Sequence, residues 1–228
     1  MKRFCFLLMT ALMAVTACSR YETVKGDPMG VKIYTLKNGL KVYMSVNKDE
    51  PRIQTYMAVR VGGKDDPADN TGLAHYLEHM MFKGSEILGT QDYEAEKPLL
   101  AQIDSLFEVY RTLTDPAERE AFYRIIDSVS YEASKLAIPN EYDKLMSVIG
   151  SEGSNAFTSE DVTCYVEEIP SNQVENWARI QADRFRNCVF RGFHTELEAV
   201  YEEKNMSMID DIEKAIDALN AMLFPHHP

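Results

Sequence analysis

The stretch Gly72–Gly84, GLAHYLEHMMFKG, sets two histidines and a glutamate among apolar residues. His75 and His79 are two of only five histidines in the chain, and Glu78 stands between them. On a helix, positions i and i+4 stack on one face about a turn apart, so the two imidazoles would address one point in space. That suits two ligands of a tetrahedral zinc ion, which still needs a third protein ligand and an open position to do chemistry. Glu78, one residue from His79 and three from His75, could lean over the same face without ligating and accept a proton from water there. The alternative is a pair of surface histidines with an incidental glutamate. The flanking Leu73, Tyr76, Leu77, Met80, Met81 and Phe82 favour a packed helix, where a polar group needs a partner.

The elements that must position this helix are legible on either side of it. VKIYTLKNGLKVYMSV alternates apolar and polar residues around Asn38-Gly39, which predicts a β-hairpin with a two-residue turn. IQTYMAVRVGG adds a third strand, and KDDPADNTG is a loop leading to the helix, with Thr71 as N-cap and Gly84 as its stop. From about residue 93 to 136 the period becomes helical. Leu99, Leu100, Ile103, Leu106, Phe107, Tyr110 and Leu113 form one stripe, and Phe122, Ile125, Ile126, Val129, Ala133 and Leu136 a second. TDPAERE between them supplies Asp115 as N-cap and Pro116 as first helical residue, so the pair reads as a helical hairpin. A short helix at about 141–149, a strand at FTSEDVTCYVEE and two more helices, NQVENWARIQADRFRNCVF and HTELEAVYEEKNMSMIDDIEKAIDALNAMLF, complete the pattern. The fold class is α+β: a mixed β-sheet with helices packed on one face, plus the helical hairpin.

Composition narrows the function. A chain of 228 residues, 45% hydrophobic and 26% charged, has the makings of an ordinary folded domain. Its formal charge of −12 argues against nucleic acid as a partner, since phosphate demands a basic patch. The first 17 residues read as a signal peptide: Lys2 and Arg3, a short apolar run, then small residues. The run ends in VTAC, which resembles a bacterial lipobox and makes Cys18 the lipid-bearing residue; ordinary cleavage near Ala17 is the alternative. This predicts an exported, lipid-anchored protein of the bacterial cell envelope, periplasmic or at the outer membrane, with residues 18–30 as tether. Cys164 and Cys188 then read as ordinary buried thiols.

HYLEH followed by MMFKGS resembles the inverted zinc motif, H-x-x-E-H, of the insulinase/pitrilysin family of metallopeptidases, the inverzincins. GSNAFTSEDVTCY resembles a strand of the same family, and FHTELEAVYEEKN its distal acidic helix. The resemblance runs from about Val31 to the end, so that residues 31–228 would be a metallopeptidase N-terminal domain. It implies one Zn2+ per chain, with His75 and His79 as ligands, Glu78 as catalytic base and Glu203 as third ligand, seven residues beyond a supporting Glu196. Seven residues are about two helical turns, so Glu196 and Glu203 share a face; the choice of Glu203 over Glu202 comes from the resemblance. Asn155, Ala156 and Phe157 would lie on the edge strand to which an extended peptide or unfolded polypeptide adds. The implied activity is zinc-dependent endopeptidase, or the metal-bearing part of one. A lipid-anchored, non-catalytic peptide-binding subunit of the same fold is the second reading. Two departures stand out. The hairpin at about 93–136 is an insertion, and the chain stops at LFPHHP before closing strands appear, which implies a missing C-terminal half or a partner subunit. His226-His227 reads as a loop.

Overall fold

A computed structural model describes residues 21–225. The chain is α+β, and its strands divide between two three-stranded antiparallel sheets rather than one mixed sheet. The chain separates at Pro51 into two compact units, each described by itself.

The first unit holds β1 (Glu22–Thr23), β2 (Lys32–Thr35) and β3 (Lys41–Met44) in that spatial order. The Asn38-Gly39 hairpin forms, but its connection is longer than two residues. Thr35 pairs with Lys41, Leu36 N–H donates to Leu40 O, and Gly39 N–H donates back to Leu36 O. Gly39 sits at φ +88°, the left-handed position that closes such a three-residue loop without strain. Residues expected to be a bare tether contribute strand β1 instead. Asp27 accepts from the N–H groups of Met29 and Val31, a local turn that folds Glu22–Thr23 back onto β2. Cys18 and the signal segment lie outside the described residues, as does His226-His227.

In the second unit β4 (Arg52–Val59), β5 (Ser154–Thr158) and β6 (Thr163–Pro170) form a sheet in the order β4-β6-β5. β4 leads to α1 (Leu73–Met80), then α2 (Tyr93–Tyr110), α3 (Pro116–Ser134) and α4 (Glu141–Val148). After the β5–β6 hairpin come α5 (Val174–Arg186), α6 (Phe193–Ser207) and α7 (Asp211–Leu223). Among the described residues no helix is long and apolar enough to cross a membrane. Central β6 presents Tyr165, Glu167 and Ile169 to the helices. Ile169 packs with Tyr142 and Met146 of α4, and Phe82, Trp177 and Ile180 close over them. Glu167 is fully buried and accepts hydrogen bonds from Thr55, Tyr142, Trp177 and Gln181, which makes its burial tolerable.

Three boundaries differ from the sequence reading, each for a local reason. FTSEDVTCYVEE is two strands, because Ser159 N–H bonds Val162 O and turns the chain within the run. The last long helix is also two. Asp210 accepts from Ile212 N–H and starts α7 afresh, three residues after α6 ends. Thr71 does not cap α1; Asp66, back in the loop, accepts from Gly72 and Ala74 N–H at 2.6 and 2.8 Å. Asp115 does cap α3 through the N–H groups of Ala117 and Glu118, and α2 and α3 fold back on one another with Ile103 and Ile126 buried.

Candidate metal centre

Two helices build the site. α1 carries His75, Glu78 and His79; α6 carries Glu196 and Glu203. They are joined by apolar packing of Tyr76 and Met80 against Val200. Tyr76 O–H donates to the Phe193 carbonyl at 2.5 Å, at the first residue of α6. Burial pushes the Tyr76 phenol well above its usual range, with the Glu196 charge adding to it, so the proton needed for this tie stays in place. At the far end of α1 the chain must reverse. Gly84, at φ +104°, permits it, and a Cβ there would stand 2.3 Å from Leu88 O.

The packing brings three donor atoms together across 128 residues of sequence. Nε2 of His75 and Nε2 of His79 are 3.2 Å apart, and Oε2 of Glu203 lies 3.5 and 3.4 Å from them. Ligands on a tetrahedral zinc at about 2.0–2.1 Å stand about 3.3–3.4 Å from one another, so the donor triangle has the size of one tetrahedral face. The donor set, two imidazole nitrogens and a carboxylate oxygen, is also one that zinc accepts. Two bare imidazole nitrogens this close repel each other unless a proton or a cation lies between them. The residues present therefore fit the ion. Glu203 is 51% exposed and His75 39%, which leaves one side of the triangle open to water, unlike a closed structural site. Glu202 is exposed and is not part of this cluster.

Glu196 lies behind the triangle. Its Oε1 accepts from His79 Nδ1 at 2.9 Å, and its Oε2 pairs with Lys83. Because Glu196 can only accept, His79 carries its proton on Nδ1 and turns the Nε2 lone pair toward His75 and Glu203. Burial pushes the Glu196 carboxyl up, but the hydrogen bonds from Lys83 and His79 outweigh it and hold it below the ordinary carboxylate range. Glu78 is buried, and its Oε2 accepts from Thr158 Oγ1 at 2.6 Å; Thr163, which donates to the Val61 carbonyl, stands 3.3 Å from the Thr158 hydroxyl.

Asn155, Ala156 and Phe157 lie on β5, an edge strand of the second sheet, with Asn155 and Phe157 exposed. The Asn155 side-chain oxygen accepts locally from Ala156 N–H. Two residues of the site escaped sequence reasoning, Lys83 and Thr158. Lys83 stands four residues beyond His79, but α1 ends at Met80, so Lys83 meets Glu196 from the turn after the helix, a partner 113 residues away that no local pattern marks. Thr158 closes the NAFT segment, but nothing local ties it to a glutamate eighty residues earlier.

A family model, Insulinase (Peptidase family M16), matches residues 41–101, which include α1. An insulin-degrading enzyme homolog of Dictyostelium discoideum is 23% identical over 182 residues, 80% of this chain and 18% of its own length. A Mycobacterium leprae protein named as an uncharacterized zinc protease is 28% identical over 205 residues, 87% of this chain and 34% of its own. The chain thus spans about a third or less of these relatives. Among solved structures, a protease from Helicobacter pylori superposes with a TM-score of 0.53 at 22% identity, covering 78% of this chain and 31% of that one; this likeness bears on the fold. In its family match, its zinc-protease relatives and its fold, the chain is thus similar to the insulinase family of peptidases.

Proposed function

We propose that the chain is the metal-bearing part of a zinc-dependent endopeptidase that hydrolyses peptides or unfolded segments. The observation that carries this reading is the donor triangle of His75, His79 and Glu203, beside a buried glutamate on the same helix. One Zn2+ held by these three residues would polarise the scissile carbonyl and acidify water at the open position. The chain's own groups supply the rest. Glu78 is held at Oε2 by Thr158, which leaves Oε1 free to accept a proton from the attacking water and return it to the departing amine. Glu196 keeps the His79 ring in one orientation and one tautomer. The edge strand at Asn155–Phe157 offers backbone groups to an extended peptide, which favours tolerance toward side chains. A distal half or partner subunit would close over that peptide, and Cys18 would tether the assembly to the envelope membrane.

Bound zinc and cleavage of an unstructured peptide, measured for the chain and for Glu78→Gln, test this. Zinc retained in both with cleavage lost only in the variant supports the peptidase. Zinc in both and cleavage in neither, even with a distal half added in trans, would replace it with the peptide-binding subunit.

A further inference from the structure

The helical hairpin α2–α3 has no part in the chemistry above, yet one of its residues reaches the core of the site's scaffold. Arg191, 6% exposed, stands two residues ahead of α6. Its Nε donates to both carboxylate oxygens of Glu96, at 2.8 and 2.9 Å. Glu96 lies in the first turn of α2 and is 1% exposed. The two terminal nitrogens of Arg191 donate to three carbonyls: Ser85 at 2.7 Å, Leu88 at 3.0 Å and Lys83 at 3.3 Å. Those carbonyls belong to the loop that leaves α1. One guanidinium therefore fastens the end of the histidine helix to the start of the helix that carries Glu203. The loop is shaped around it, since a Cβ on Gly84 or Gly89 would come within 3.0 or 3.2 Å of Arg191 Nη1. The same hairpin also lays Phe107 against Phe193 and His194, with ring centroids 6.1 and 5.8 Å apart, on the first turn of α6.

A buried guanidinium without a counter-charge is strongly unfavourable, so this fastening exists only while Glu96 is present. Its planar fork of donors is what lets it meet a carboxylate and three carbonyls at once, which a lysine cannot do. We infer that the α2–α3 hairpin is a positioning element of the metal centre: through Glu96 and Arg191 it sets the separation of α1 from α6, and so that of the histidine pair from Glu203. The inference rests on the reading of His75, His79 and Glu203 as zinc ligands.

The test is zinc affinity of the full chain, by competition with a chromophoric chelator, for wild type, Arg191→Lys and the double variant Glu96→Leu/Arg191→Met. The double variant removes both buried charges together, which guards against simple unfolding, and far-UV circular dichroism reports the fold. Both variants are expected to bind zinc about 10- to 100-fold more weakly, the range seen when groups supporting metal ligands are lost. Wild-type affinity in either folded variant overturns the inference. Hydrogen exchange on the wild type supplies an independent reading, because coupling between zinc and hairpin must be reciprocal. Zinc should slow exchange at amides between Glu96 and Ala101; protection confined to α1 and α6 overturns the inference. A wild type that binds no zinc removes the metal centre itself, a distinct failure.

Discussion

Glu196→Ala strips the His79 imidazole of the acceptor that orients it. The lost contacts are a 2.9 Å hydrogen bond to His79 and the ion pair with Lys83, all three side chains being at least two-thirds buried. A hydrogen bond to a charged group contributes about 1.5–3 kcal/mol, but the bond is present with or without metal, so most of that value cancels from the zinc affinity. What remains is the loss of ring orientation, of the correct tautomer and of imidazole basicity. Loss of such support weakens metal binding about 10- to 100-fold, or about 1.4–2.7 kcal/mol. Lys83 adds little penalty, because it is a third exposed and can turn its ammonium to water. Glu196→Gln keeps an acceptor for Nδ1–H and loses only the charge, so it falls near the ten-fold end, with alanine toward the other. Chelator competition measures both. Affinities within about two-fold of wild type for both variants would refute the role given to Glu196.

Other expectations follow from the same contacts. Glu203→Gln should lose tight zinc binding, whereas Glu202→Gln, outside the donor cluster, should not; zinc titration of the two side by side decides between neighbours. Asp66→Ala removes the acceptor of two N–H groups at the start of α1 and should lower stability by about 1–2 kcal/mol in urea unfolding, while Thr71→Ala stays near wild type. Burial raises the phenols of Tyr142 and Tyr165, with Arg184 opposing it in part. A raised native value means that stability is fully present below the unfolded pKa of about 10 and falls as pH climbs past it, by up to about 1.4 kcal/mol per pH unit for each tyrosine. Urea midpoints between pH 8 and 11 should show that fall, and a shallower one in Tyr165→Phe; a flat profile would contradict it.

Much of the local structure was legible because it is written in short-range patterns. The i, i+4 histidines, the stripes of α2 and α3 and the Asp115-Pro116 start are all contained within a few turns. What escaped depends on partners distant in sequence or on competition within a run. Asp66 caps α1 from six residues before Gly72, across a loop whose path no propensity records. Asp210 interrupts an otherwise helical pattern because its carboxylate serves as well as a cap as it would on a helix surface. Lys83 with Glu196, Thr158 with Glu78 and Glu96 with Arg191 are long-range pairs. Each looks in sequence like an ordinary polar residue, and only the packing of α1 against α6 and β5, and of the hairpin against the segment before α6, gives it a partner.

The most direct test is an anomalous difference map from crystals of the chain soaked in zinc. A single peak is expected at about 2.0–2.1 Å from Nε2 of His75, Nε2 of His79 and Oε2 of Glu203, with its remaining side open to solvent. A zinc-loaded crystal with no peak there, or with Glu203 turned away and no other carboxylate in its place, would contradict a three-residue centre.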